Sequence, residues 1–203
     1  MTAEKSYPVI IVPGLAIFLA GENWKRILAK NGHTARIANL YSIMATAPID
    51  AQARRLFSEI ERILVQLKAE KCHLLGFSMG GIAALHYLKK YNLRNRVSKC
   101  ICAAAPFHGI PDYLDILAPF RVLIRGLPEI MRGNEFLMKV SEKEGTPPIQ
   151  IFTIRGKADL LCGKESCYLP FANNLPPTSG GHLSICCGLD KQAVDQVLKI
   201  LTD

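Results

Sequence analysis

Ser78 stands in Gly76-Phe77-Ser78-Met79-Gly80-Gly81, a serine with glycine two places before it and two places after it. A serine hydroxyl is a weak nucleophile until a neighbouring base takes its proton. It also has to be presented at the tip of a sharp strand-to-helix turn, where the two segments approach closely and only glycine leaves room. The helix leaving such a turn points unpaired N–H groups at negative charge developing beside the serine. The chemistry this would serve is acyl transfer through a covalent serine intermediate. Glycine and serine are common, so a match to this pattern arises by chance in such a chain with a probability of roughly 0.07. The pattern gains weight only if the rest of the chain supplies a base and an acid.

Five histidines compete for the role of base. His33 follows a helix stop, His73 sits inside a strand, and His86 lies within a helix. His108, in Pro106-Phe107-His108-Gly109, follows a strand end, which places Phe107 and His108 to line a binding pocket. His182, in Gly180-Gly181-His182-Leu183, lies between the last strand region and the last helix, and loop placement favours it as base. For the acid, Asp159 directly follows an apolar strand through Arg155-Gly156-Lys157-Ala158. Asp112 and Asp115 follow the preceding strand, and Glu165 is a further rival. The order Ser78, Asp159, His182 suits a nucleophile that leads its acid and base along the chain. An oxyanion would be held by the N–H of Met79 and by that of Leu15, in the first loop Pro13-Gly14-Leu15.

These residues need a scaffold, and the apolar patterning supplies one. Val9 to Val12 reads as a buried strand ended by Pro13-Gly14. Trp24, Ile27 and Leu28 mark a short helix stopped by Gly32. Ala35 to Leu40 is a weaker strand. From Asp50, expected as N-cap, Leu56, Ile60, Ile63, Leu64 and Leu67 recur at helical spacing. Arg54, Arg55, Glu59, Glu61 and Arg62 fill the solvated face. Strands are expected at Cys72 to Phe77, Cys100 to Ala105 and Ile149 to Ile154, and helices over Gly80 to Tyr91 and from Asp190 onward. The final helix carries the stripe Val194, Val197, Leu198 and Leu201. Strands alternating with helices predict an α/β fold, a mostly parallel sheet covered on both faces, with ligands at the carboxyl ends of its strands. Residues 1–203 read as one domain.

The segment 112–148 is longer than a simple crossover needs. Phe120, Leu123, Ile124 and Leu127 repeat there at helical spacing between Pro119 and Pro128. They form either a crossover helix packed on the sheet or a small cap whose apolar face meets an acyl chain.

Composition excludes several function classes. About half of the chain is apolar and 21% is charged, so nothing suggests disorder. The apolar stretch Pro8 to Ala20 is broken by Pro13 and Gly14 and lacks a basic flank, so neither a signal peptide nor a membrane span is expected and a cytoplasmic location is. The net charge of +8 is scattered, without a basic stripe interleaved with aromatics. No nucleic-acid partner is expected, and a weak peripheral attraction to an anionic membrane surface is the most the charge supports. Seven cysteines, an odd number, argue against a disulfide framework. Cys162, Cys167, Cys186 and Cys187 lack the paired-thiol spacing of a zinc site, so no metal and no cofactor is expected.

Taken together, Val9-Ile10-Ile11-Val12-Pro13-Gly14, the glycine-flanked Ser78, Gly156 to Asp159 and Gly181-His182 resemble bacterial triacylglycerol lipases and esterases of the α/β-hydrolase superfamily. Ala105 to Gly109 and Gly133-Asn134-Glu135-Phe136-Leu137 are similar to segments after the sixth strand of those lipases. The resemblance spans nearly the whole chain. It implies the α/β-hydrolase fold without its first two strands, leaving about six, and cleavage of a small-molecule or lipid acyl ester. A thioesterase or acyltransferase using the same residues is the alternative. The chain departs from the family at Pro13, where a histidine is usual, and in Tyr168 to Ser179, where the last strand should lie among poor strand formers.

Overall fold

The computed structural model describes residues 7–14, 18–40, 47–111, 128–163 and 165–203. Leu15, Asp112, Asp115, Phe120, Leu123 and Ile124 lie outside the described residues, as does the whole of 112–127.

Among the described residues six strands form one sheet: β1 (Val9–Val12), β2 (Ala35–Ile37), β3 (Cys72–Phe77), β4 (Val97–Ala103), β5 (Gln150–Ile154) and β6 (Asn173–Asn174). Their spatial order is β2-β1-β3-β4-β5-β6, and every pairing is parallel. Among the described residues six α-helices connect and cover them: α1 (Phe18–Lys30), α2 (Ile49–Leu67), α3 (Met79–Lys90), α4 (Glu135–Ser141), α5 (His182–Cys186) and α6 (Lys191–Thr202). The α/β sheet of about six strands is therefore as the sequence leads one to expect.

Continuous apolar runs make these strands because both faces of a parallel sheet are covered. Alternate residues then enter two separate cores. Ile10, Val12, Leu74, Cys100, Cys102 and Ile151 join the core beneath α2, α3 and α4. Val9, Ile11, Leu75, Phe77, Ile101, Ala103 and Ile154 join the core with residues of α1, α5 and α6. Trp24 of α1 is fully buried in the second core and stacks on Phe77 at 5.2 Å between ring centroids.

Two local expectations are corrected and two are sharpened. Asp50 does not cap α2, because Pro48 holds that position. In the first turn Asp50 instead accepts from His86, Lys90 and Tyr91 and pairs with Arg54. Glu59 is buried rather than solvated: its carboxylate takes the backbone N–H of Asn39 and the guanidinium of Arg62. The last strand is only Asn173–Asn174. Side-chain bonds replace β propensity there, since the Asn174 amide binds Thr153 Oγ1 and both main-chain groups of Leu169. Finally, α6 packs the expected stripe Val194, Val197, Leu198 and Leu201 against the second core and turns Ala193, Val197 and Ile200 most fully inward, with Asp190 capping it through Ala193 N.

The described part of 112–148 packs into the body of the protein. Asn134 caps α4, and Leu137 and Val140 enter the first core. Lys89 of α3 donates to the carbonyls of Lys139, Val140 and Glu142 and so fastens the end of α4. Among the described residues no helix is long and apolar enough to cross a membrane.

His73 in β3 yields a stability prediction. It is buried with Nδ1 unpartnered, its ring set edge-on to Tyr7. Burial, then the charges of Lys99 and His33, press its pKa from 6.5 down to about 4. A folded pKa below the unfolded one means that the unfolded chain binds the proton first. Its contribution is thus complete above pH 6.5 and is lost as pH falls from about 6.5 toward 4. The full loss amounts to about 3 kcal/mol. Denaturant titrations should show a wild-type stability that falls through this window and a His73→Val variant that falls less.

Candidate active site

Ser78 ends β3 and precedes α3 with φ +51° and ψ −129°, a conformation that side-chain-bearing residues rarely adopt. Its N–H is held by Ala103 O of β4 at 3.0 Å, and its carbonyl accepts from Gly81 N at 2.9 Å. The turn is tight on every side. A Cβ on Gly76 would lie 2.7 Å from Gly81 Cα, and one on Gly80 would run into the carbonyls of Val12 and Pro13. One on Gly14 would meet Phe77 O at 2.7 Å and Ser78 Cβ at 2.9 Å, so the loop after β1 passes directly against the serine.

The structure brings Ser78, His182 and Asp159 into one chain of hydrogen bonds. His182 Nε2 lies 3.1 Å from Ser78 Oγ, and His182 Nδ1 lies 3.0 Å from Asp159 Oδ2. Asp159 Oδ1 accepts from Leu161 N at 3.0 Å and Cys162 N at 2.8 Å, which leaves Oδ2 for the imidazole. The Asp159 side chain is wholly buried and that of His182 is 8% exposed. With the carboxylate as acceptor, Nδ1 carries the ring proton and Nε2 presents its lone pair to the serine hydroxyl.

Two loops deliver the acid and the base. After β5 the chain bridges Gly156 to Thr178, and Lys157 N and Ala158 N bind Thr178 O and Gly180 O. The loop carrying Asp159 is thereby tied to the loop carrying His182. Asp190 Oδ2 accepts from Gly180 N, and Ser184 Oγ accepts from Gly181 N. His182 opens α5, which α1 holds from behind: Trp24 Nε1 donates to Ile185 O and Asn23 Nδ2 to Cys187 O. Of these supports, Asp190 was visible in the sequence only as a helix start. Its second role as a clamp on Gly180 has no local signal.

The remaining expected site residues fall elsewhere or differ in environment. Met79 begins α3, where geometry leaves first-turn N–H groups without an intrahelical acceptor, as an oxyanion donor requires. Its side chain is buried. Leu15, the expected second donor, lies outside the described residues, as do Phe120, Leu123 and Ile124. Phe107 is fully buried in the first core, so its ring has no surface to offer a substrate, which corrects its reading as a pocket residue. His108 is exposed and bonds Tyr168 O at 2.9 Å. With Arg132, Gly163, Glu165, Ser166 and Tyr168 it lines a cavity of about 600 Å³ that includes none of Ser78, Asp159 and His182. Glu165 is thus apart from the bonded chain. His86 is engaged by Asp50.

The chain has the α/β-hydrolase fold. A profile of the alpha/beta hydrolase fold matches residues 46–130. The solved structures to which the chain is similar include lipases and esterases. A lipase from Bacillus licheniformis in its mature form shares 18% identity at a TM-score of 0.76, covering 96% of this chain and 93% of that one. Lipase B of Aspergillus fumigatus gives 16% identity and a TM-score of 0.71, over 99% of this chain and 53% of that one. An esterase from Pyrococcus furiosus gives 16% identity and a TM-score of 0.67, over 97% and 81%. No curated protein matches the chain in sequence.

The close approach at Gly80 makes a direct test. Gly80→Ala forces its methyl into two backbone carbonyls that cannot rotate away, at a cost of about 2 to 3 kcal/mol. A melting temperature lower by roughly 5 to 10 °C is expected. Gly163→Ala, with nothing near its new methyl, should melt like the wild type.

Proposed function

We propose that the protein is a serine hydrolase that cleaves carboxylic esters of a small-molecule or lipid acyl group through an acyl-enzyme at Ser78. The observation that carries this reading is the unbroken chain Ser78 Oγ, His182, Asp159, in which each contact is within hydrogen-bond reach. His182 Nε2 takes the hydroxyl proton as Oγ attacks the ester carbonyl, and the imidazolium that forms is held by Asp159. The oxyanion is received at the start of α3 by Met79 N–H, with Leu15 assigned as second donor by sequence pattern. The protonated His182 then passes its proton to the leaving alcohol. A water activated by the same nitrogen releases the acid and restores Ser78. The turn contributes by holding the Ser78 backbone in one conformation before reaction, through Ala103 O and Gly81 N, so the hydroxyl is positioned in advance. Lipase and esterase neighbours on the same fold support an ester as the substrate class.

Turnover and covalent labelling test this together. Ser78→Ala should lower ester hydrolysis by about 10⁴-fold or more and abolish labelling by fluorophosphonates, with its circular dichroism unchanged. An alanine variant that still labels and turns over would sink the mechanism. A panel of oxygen esters and thioesters of rising chain length should favour the oxygen esters; a preference for thioesters would reassign the substrate.

His182→Ala should lose nearly all activity in the same assay. His108→Ala should keep the rate on short esters, because its ring lines a different cavity. The reverse pattern would make His108 the base.

A further inference from the structure

Cys162 stands where the proposed mechanism has no use for it. Its thiol lies 3.6 Å from His182 Nδ1 and contacts Ala104 O at 3.2 Å. One ligand atom each from Asp159, Cys162 and His182 lie within 4.8 Å of one another, and all three residues are buried. A second buried thiol, that of Cys167, is near enough to raise the pKa of Cys162. We propose that Asp159, Cys162 and His182 form a binding site for a thiophilic divalent cation of the zinc type, and that filling it switches the Ser78 centre off.

The donor set suits such an ion. Carboxylate oxygen, imidazole nitrogen and thiolate sulfur are the three ligand types of zinc, bound at about 2.0 to 2.3 Å. Tetrahedral ligands at those lengths stand about 3.3 to 3.8 Å apart. The imidazole-to-sulfur separation of 3.6 Å already falls in that range, and the imidazole-to-carboxylate separation of 3.0 Å needs to open by a few tenths of an ångström. Asp159 offers a single oxygen because Oδ1 is held by two backbone N–H groups. The charge closes as well: one carboxylate and one thiolate cancel the dication, so the buried site carries no net charge to desolvate. Without metal, the neighbouring thiol of Cys167, then burial and the Asp159 carboxylate, hold the Cys162 thiol above its ordinary pKa.

The switch follows from the two nitrogens of one ring. The ion takes the Nδ1 lone pair, which displaces the hydrogen bond to Asp159. The ring remains neutral, so its one proton moves to Nε2, while the Cys162 proton leaves to solvent. Nε2–H now points at Ser78 Oγ as a donor and can no longer accept the hydroxyl proton. Metal occupancy and base catalysis are mutually exclusive.

The inhibitory half of this proposal rests on the serine-hydrolase reading, and the binding half does not. Co²⁺ added to the purified full chain should produce thiolate-to-cobalt charge-transfer absorption that saturates near one equivalent and is displaced by Zn²⁺. Ser78→Ala should give the same band, whereas Cys162→Ser, which keeps the size and hydrogen-bonding capacity of the side chain, should not. Zn²⁺ should suppress ester turnover in parallel with binding, and a chelator should restore it. For Cys162→Ser, compared with its own metal-free rate, the half-inhibiting Zn²⁺ concentration should rise roughly tenfold or more. An absent band, a band that persists in Cys162→Ser, or equal inhibition of wild type and Cys162→Ser each overturns the proposal. Full turnover by Ser78→Ala with an intact cobalt band would instead defeat the hydrolase reading and leave the metal site standing.

Discussion

Ser78 sits at φ +51°, ψ −129°, and the surrounding backbone exists in the form it does to keep it there. β3 delivers the residue, α3 begins on the next one, and the loop after β1 presses on both. None of these segments can withdraw without releasing the turn, because their contacts are backbone against backbone at Gly14, Gly76 and Gly80. Strain of this kind persists only where the environment over-determines it. Here the environment is the center of the sheet: β1 and β4 flank β3, and Ser78 N is pinned to Ala103 O. A wholly parallel sheet with two buried faces supplies the rigidity that a loop alone would lack.

The acid and base depend on that anchor in a graded way. Asp159 is carried by the loop after β5 and His182 by the first turn of α5, yet the two segments are tied together through Thr178 and Gly180. Asp190 does double duty, closing the first turn of α6 and holding Gly180. Trp24 joins the second core to the base, since the ring that stacks on Phe77 also donates to Ile185 in α5. Packing in the core is thus converted into the position of an imidazole.

The same burial that strengthens the bond between Asp159 and His182 also gathers cysteines around it. In a low-dielectric interior a hydrogen bond to a carboxylate gains strength. Cys162 and Cys186, both buried beside this pair, are held as neutral thiols. A neutral thiol is a compact apolar filler that keeps water from Asp159. It is also a latent soft ligand, so the environment that protects the acid also places sulfur beside the imidazole.

What the sequence by itself determined was whatever depends on near neighbours along the chain. Runs such as Val9 to Val12 and Cys72 to Phe77 could only be doubly buried strands. The glycines around Ser78 stated a tight turn because their spacing is the geometry of the turn itself. The succession of strands and helices ordered Ser78, Asp159 and His182 at the carboxyl end of the sheet. The tertiary structure alone decided matters set by residues distant in sequence. Glu59 is buried because Asn39, 20 residues away, offers it an N–H. Phe107 faces the core rather than the site, since Ser141 of α4 binds its carbonyl and α4 closes over it. Two asparagines form a strand because an amide side chain replaces the missing propensity through Leu169 and Thr153. Cys162 meets His182 across 20 residues through a turn that the Asp159 carboxylate itself organises by binding two N–H groups. Periodicity encodes local form, but a side chain's partners are chosen when loops from different strands are brought to the same end of a sheet.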